Sequence, residues 1–516
     1  MKLNNFNRTA SYLAVLLLVL TLGCKKDTLE KEVLEEESLD QSVFNADFNK
    51  DGKVNILILG TNKSIKSSSE AFSPNQIAVE LKNILSNDAT SDINVVSENI
   101  HLTKNVAVGL GQSNQSFSWD HSSHSLLQYY YWPEGRDERM KNLSGKGGTQ
   151  WDYVVIGADP YIMSNTPGYY ALGVNKIAAK VAEGGAKPLL LMLWPKDASN
   201  GFSMDHFAEY TYRTSEGAKV GLKTVPAGRV WEAVANGKRD NSAMHPTPHG
   251  AYVAAASIYS HMSNRSATDS KYSYDDDLAD LANTVVKAEN GKVHFTGERQ
   301  FISPFKSCNL GKKSTLNYNH TGTSSERGIL RGLQYVVQKA SVTLEKDGAA
   351  PIAFNYGRAN TNFEANKRYK IDASKYTYSF GFPMQDHNST GNVSMLYGLD
   401  KRINETENGT DLGVALYMIR NSELPQARAI PIRTLFAQLQ ELIPGQSAYS
   451  DNWHMSYELD KASAGFMYTL LTGDCAIGDE PSDKTSADWK AWRAHKLGYE
   501  TAWTLMHLEG TAPDCK

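Results

Sequence analysis

A histidine, a run of small residues and a tyrosine fourteen positions on occur together twice in this chain, as His245 to Tyr259 and as His454 to Tyr468. In the first copy the intervening residues are Pro-Thr-Pro-His-Gly-Ala-Tyr-Val-Ala-Ala-Ala-Ser-Ile; in the second they end in Lys-Ala-Ser-Ala-Gly-Phe-Met. A histidine on a loop just ahead of a small-residue helix is held firmly yet stays reachable, as a general base for a serine hydroxyl must be. An acid precedes each: Asp240 by five residues and Asp451 by three. Two serines could act as nucleophile, Ser64 in Gly60-Thr-Asn-Lys-Ser64 and Ser324 in Gly322-Thr-Ser324-Ser-Glu-Arg. A serine hydroxyl attacks a carbonyl only when an imidazole takes its proton, and a carboxylate on the far ring nitrogen then fixes the tautomer. Amide donors must also hold the oxyanion that forms, for which Gly109, Gly111 and Asn114, or Asn360 in the second half, are the candidates. For each histidine a plain hydrogen bond at a helix start remains the competing reading.

Apolar runs say what must position these groups. Val54 to Gly60, Trp151 to Gly157 and Pro188 to Trp194 are apolar runs, broken only by Asn55 and Asp152 near their starts, and helical patterns follow over Ile77 to Leu85, Ala171 to Ala182 and beyond His245. Continuous apolar strands alternating with helices predict an α/β fold whose parallel sheet is covered on both faces. In such sheets ligands bind at the carboxyl ends of the strands, where Ser64 stands relative to the first run. The second half is less periodic. Glu326 to Lys339, Ile432 to Leu442 and His454 to Leu471 read as helices, Leu412 to Arg420 as a strand, and Thr315 to His320 as too polar for a first strand. A last helix carries Trp489, Trp492 and Trp503 as packing anchors.

The serine block after the first strand, Val225-Pro-Ala-Gly-Arg-Val-Trp231 and His245-Pro-Thr-Pro together resemble the SGNH/GDSL hydrolase superfamily, over about Val54 to His261 and more weakly in the second half. The resemblance implies an SGNH-like three-layer sandwich with a parallel sheet, and two related α/β domains. It also implies a Ser-His-Asp site acting on carboxylic esters, with no cofactor and no metal. The chain departs from the pattern in both halves. Asn62 or Ser64 occupies the nucleophile position, and Ser242 stands three before His245 where that family carries an acid. The second half has the regular Asp451-x-x-His454 spacing. Two domains, one active and one decayed, and one site built from both halves are alternatives the sequence leaves open.

The N-terminus sets the address. Lys2 and Arg8, an apolar run from Tyr12 to Leu22 and Gly23-Cys24 form the layout of a bacterial lipoprotein signal, with Cys24 as the lipidated residue. Cleavage removes Lys2 and Arg8 and takes the formal charge from −4 to −6. The opening Cys-Lys-Lys-Asp resembles surface lipoproteins of the Bacteroidetes group. The expected organisation is a signal over 1–24, an acidic tether over 25–52, an SGNH-like domain over 53–262, a second α/β domain over 277–476 and a helical segment over 477–516. The boundary falls in the Asp-rich stretch from Ser263 to Asp276. Cys475 and Cys515 are a plausible disulfide pair, leaving Cys308 free.

With a charge of −4 and no basic block, nucleic-acid binding is excluded as an expectation. The remaining partners are an acylated carbohydrate or other small ester, and a membrane through the lipid alone, on the outer membrane's periplasmic or cell-surface side. The rival is a non-catalytic glycan-binding lipoprotein, either SusD-like or a decayed hydrolase. Tyr129-Tyr-Tyr-Trp132 and Trp119 are candidate sugar platforms, with buried packing equally open. Asp47-Phe-Asn-Lys-Asp51-Gly52 imitates a calcium loop, but Ile58 holds the place of its bidentate acid, so a turn into the first strand is expected.

Overall fold

The computed structural model describes residues 46–60, 74–88, 91–100, 125–131, 135–157, 162–163, 167–194, 203–234 and 248–294. Of the second half it describes 331–334, 336, 431–447, 450, 455–473, 475 and 477–514, and in addition the backbones of the strand segments 108–109, 116–117, 315–320, 353–358, 383–385, 392–397 and 427–430. Residues Ala46–Lys516 make up one compact unit.

The chain enters that unit through the turn at Asp47. Its carboxylate accepts from the backbone N–H groups of Asp51 (3.1 Å) and Gly52 (2.8 Å), and Gly52 takes a φ of +84°. The imitation calcium loop is thus a turn into the first strand, β1 (Lys53–Gly60), buried from Val54 to Gly60. The others in its sheet are β2 (Asp92–Asn99), β3 (Tyr153–Ile156), β4 (Lys187–Leu191) and β5 (Lys223–Val225). All pairs are parallel and the order is β2-β1-β3-β4-β5. At the amino edge Asp152 receives the backbone N–H groups of Phe48 (2.7 Å) and Asn55 (2.8 Å), tying the entry turn to β1 and β3. Burial raises its pKa, and these donors pull the other way.

Helices cover both faces. On one lie α1 (Pro74–Ser86), the short α6 (Ala227–Ala233), α7 (Pro248–Ser263) and α8 (Asp276–Glu289). On the other lie α2 (Leu126–Tyr131), α3 (Arg136–Leu143) and α4 (Pro167–Glu183), while α5 (Met204–Glu216) packs near β5 and α6. This is the α/β three-layer arrangement expected. Asp275 caps α8 by accepting from Leu278 N–H at 3.1 Å, so the Asp-rich stretch is a capped helix start. Because α8 packs against α7 and α6, the first half's helical layer continues past that stretch.

A second five-stranded sheet is built from β6 (Thr315–His320), β7 (Ala353–Arg358), β8 (Pro383–Gln385), β9 (Asn392–Tyr397) and β10 (Ala427–Ile430). Its order, β7-β6-β8-β9-β10, repeats that of the first sheet position for position. Only β8 is reversed: it runs antiparallel to β6 and β9, while β6–β7 and β9–β10 are parallel. The leading pairs even share their spacing. Lys53 pairs with Asp92, 39 residues on, and Thr315 with Ala353, 38 residues on. Thr315–His320, too polar to be recognised as a strand, therefore occupies the place of β1. The segment Leu412 to Arg420 lies outside the described residues.

Three helices close the second half: α9 (Ile432–Leu442), α10 (Tyr457–Thr472) and α11 (Ala487–His507). Glycines set how closely they approach. A Cβ on Gly498 would stand 2.0 Å from Ala462 O and one on Gly465 2.5 Å from His495 O, so α10 and α11 cross nearly backbone to backbone. The face of α4 is joined the same way, Gly168 against Leu505 O at 2.5 Å. Glu441 on α9 is a second tie to the first half, accepting from Lys176 (2.6 Å), Arg136 (2.8 Å) and Tyr131 (3.1 Å). Cys475 is disulfide-bonded; Cys515 and Cys308 lie outside the described residues.

Candidate active site at the carboxyl edges

In the first sheet the strand order turns between β1 and β3, and in open α/β sheets such a turn marks, at the strands' carboxyl ends, the place where ligands bind. The two strands are close there: Gly157 N–H donates to Leu59 O at 2.8 Å, and a Cβ on Gly157 would stand 2.8 Å from that oxygen. A side chain at 157 would force the two strands apart at their carboxyl ends.

The loops that matter leave from this same edge. Helix α1 returns from β1 to the parallel β2, so its N-terminus lies at the carboxyl edge. Its far end meets the far end of α7. Just past α1, Asp88 takes two hydrogen bonds from Arg265 (2.8 and 2.9 Å) and one from Tyr259 OH (2.6 Å). The two helices run side by side in the same direction, so the start of α7 is at the carboxyl edge too. Tyr259, the last residue of the first repeated pattern, is thereby a structural anchor. Burial and the neighbouring Asp88 carboxylate hold its hydroxyl protonated, with its pKa well above the ordinary value.

The second half repeats these relations. Each sheet's last strand passes through one proline into a helix. Pro226 (φ −84°, ψ 45°) leads into α6 and Pro431 (φ −82°, ψ 64°) into α9. The closing helix begins three residues after the histidine in both, at Pro248 after His245 and at Tyr457 after His454. Ser64 follows the end of β1 by four residues, and Ser324 follows the end of β6 by four. The helical residues 331–334 and 336 cross α10 at Asp460 and Ala464, where Gly332 meets Asp460 O and the Ala464 side chain, as α1 lies along α7. Both serine-bearing and both histidine-bearing loops thus hang from equivalent elements.

Ser64, Asn114, Asp240, His245, Ser324, Asn360, Asp451 and His454 themselves lie outside the described residues, as do Asn62, Gly111, Ser242 and Cys24. Gly109 is in a two-residue ladder, Val108–Gly109 against Ser116–Phe117, where it pairs with Ser116. Of the two readings of the tyrosine run, buried packing holds at Tyr129 and Tyr131, while Tyr130 between them is half-buried. Tyr129 and Tyr131 are 1% and 4% exposed on α2, with Tyr129 OH on Glu98 and Tyr131 OH on Glu441. Trp119 and Trp132 lie outside the described residues.

Sequence reasoning missed what surrounds the edges. Trp194, just beyond β4, stacks on Trp231 of α6 with ring centroids 4.8 Å apart. In the first turn of α10, burial pushes the Asp460 carboxyl up to about 8 against the pull of Lys461 and Arg331. This carboxyl, six residues after His454, is thus shifted by burial toward its protonated form. Its sequence signal was slight, an aspartate between Glu458 and Lys461 at a helix start.

No family model matches the chain, and no curated protein does. Among solved structures it is similar to a Slackia heliotrinireducens protein proposed to be an SGNH hydrolase, at 18% identity and a TM-score of 0.29, over 40% of this chain and 97% of that one. At that TM-score the likeness carries no weight for activity.

Proposed function

We propose that the protein is an exported, lipid-anchored serine esterase of SGNH type that removes acyl groups from a carbohydrate. The observation that carries this reading is the recurrence, in two sheets of the same strand order, of a serine four residues past the first strand and a histidine three residues before the closing helix. In this mechanism Ser324 or Ser64 attacks the ester carbonyl while His454 or His245 accepts its proton, and Asp451 or Asp240 holds the ring. Backbone and Asn360 or Asn114 donors stabilise the oxyanion. The imidazolium then protonates the leaving alcohol, and a water activated by the same imidazole releases the acid. Cys24 lipidation keeps the enzyme at the outer membrane, and the acidic segment after it is the tether.

A binding role without turnover is the second reading, favoured in the first half by Ser242 and Asn62 standing in the acid and nucleophile places. Acid release separates the two. The purified chain in mild detergent is expected to hydrolyse an aryl acetate and acetylated polysaccharides at rates that EDTA leaves unchanged, since no step uses a metal. Absence of turnover on every acyl ester tried would leave only the binding role.

A further inference from the structure

Three aromatic side chains stand exposed among the described large hydrophobic residues: Phe48, Tyr274 and Tyr457. Phe48 is at the amino edge, packed edge-on to Tyr153 and lying 3.7 Å beneath Lys187. The other two flank the histidine loops. Tyr274, 46% exposed, rests against His249 in the first turn of α7 (5.3 Å between centroids, 77°) and against Tyr252 (5.7 Å). Tyr252 is itself fixed by a 3.0 Å hydrogen bond to Ser273, so the exposed ring has a rigid seat. Tyr457, 55% exposed, is the first residue of α10, with the Lys461 ammonium 4.8 Å from its ring centroid. Chain length alone keeps His245 within about 14 Å of His249, and His454 within about 11 Å of Tyr457.

From this placement we infer that Tyr274 and Tyr457 are carbohydrate-stacking platforms at the rims of the two sites, each taking a neutral pyranose ring next to the acylated one. A pyranose offers a face of C–H groups whose burial against an aromatic ring is favourable, while its hydroxyls stay in water at the ring's edge. A tyrosine held in one orientation loses little conformational freedom in accepting it. The inference rests on the esterase reading for its choice of rim, since the histidine loops mark where the acyl group would sit.

The test separates binding from chemistry. The full chain in detergent is applied to an array of neutral and acidic glycans, and hydrolysis of an aryl acetate, which has no sugar to stack, is measured in parallel. Binding to neutral pyranosides is expected. It should fall about tenfold in the Tyr274→Ala/Tyr457→Ala variant, stay near the parent's in Tyr274→Phe/Tyr457→Phe, and leave aryl acetate turnover within twofold in both. A blank array for the parent chain, or unchanged binding in the alanine variant, would overturn the platforms. Loss of aryl acetate turnover along with binding would also overturn them, by making the tyrosines structural. Tyrosine-dependent binding by a parent chain that hydrolyses no ester would keep the platforms and remove the esterase.

Discussion

Removing both imidazoles at once, with His245→Ala and His454→Ala in one chain, is expected to lower kcat/KM for an aryl acetate by about 10⁴-fold or more. Without a base the serine proton has nowhere to go as the carbonyl is attacked, and the leaving alcohol finds no proton. What survives is the contribution of the oxyanion donors and of binding. The single variants should divide the loss unequally. Asp451 precedes His454 at the spacing that lets a carboxylate meet the far ring nitrogen across one turn, whereas Asp240 is two residues further from His245. His454→Ala alone is therefore expected to cost nearly all of the activity and His245→Ala less than tenfold. Because both histidines precede the closing helices, unchanged far-ultraviolet circular dichroism must accompany the loss. A double variant retaining more than a hundredth of the parent activity would remove both residues from the mechanism.

The largest expected effect on stability comes from Gly498→Ala. The added methyl carbon would stand 2.0 Å from Ala462 O and 2.6 Å from Phe466 N, and both are helical backbone that cannot turn aside. Helices α10 and α11 would have to separate, opening a gap along a crossing where Gly465 and Gly498 now let the backbones touch. Overpacking of this kind costs about 3 kcal/mol, to be read as a fall in the urea midpoint with the denaturant slope unchanged. An equal midpoint for variant and parent would mean that the two helices do not meet as described. Since α10 carries the histidine loop of the second half at its start, activity should fall along with stability.

Much of the first sheet was legible in the residues, for a simple reason. Strands β1, β3 and β4 are covered on both faces and so consist mainly of apolar residues, which composition reveals. Strand β2 was not, because it lies at the sheet's edge and mixes exposed and buried positions along Asp92–Asn99. The three residues of β5 were too short to form a pattern, although the proline after them was visible. In α8 the three aspartates looked like a linker because capping and first-turn acids have the same composition as a solvated loop. Strand β6 is the sharpest case: Thr315-Leu-Asn-Tyr-Asn-His320 contains one aliphatic residue, and its identity as a first strand comes from its partners β7 and β8.

The candidate site was legible in a different sense. The recurrence of histidine, small residues and tyrosine pointed to duplication, and the shared strand order gives that duplication a structural basis. What spacing could not supply was the pairing itself, because strand partners 38 or 39 residues apart are chosen by long-range contacts. The burial of the tyrosine run was hidden for a related reason. A run of three tyrosines stands out in a sequence, but Tyr129 and Tyr131 face the core on α2, while the exposed rings at Tyr274 and Tyr457 occur singly and announce nothing.

The central claim is that a serine following the first strand of one of two like sheets carries an activated hydroxyl. Treating the full chain with a fluorophosphonate and locating the adduct by peptide mass spectrometry tests it most directly. The expected result is one modified serine, Ser324 or Ser64, whose labelling disappears when the histidine of the same half is replaced by alanine. An adduct on a serine elsewhere in the chain, or ester turnover with no adduct at either position, would contradict it.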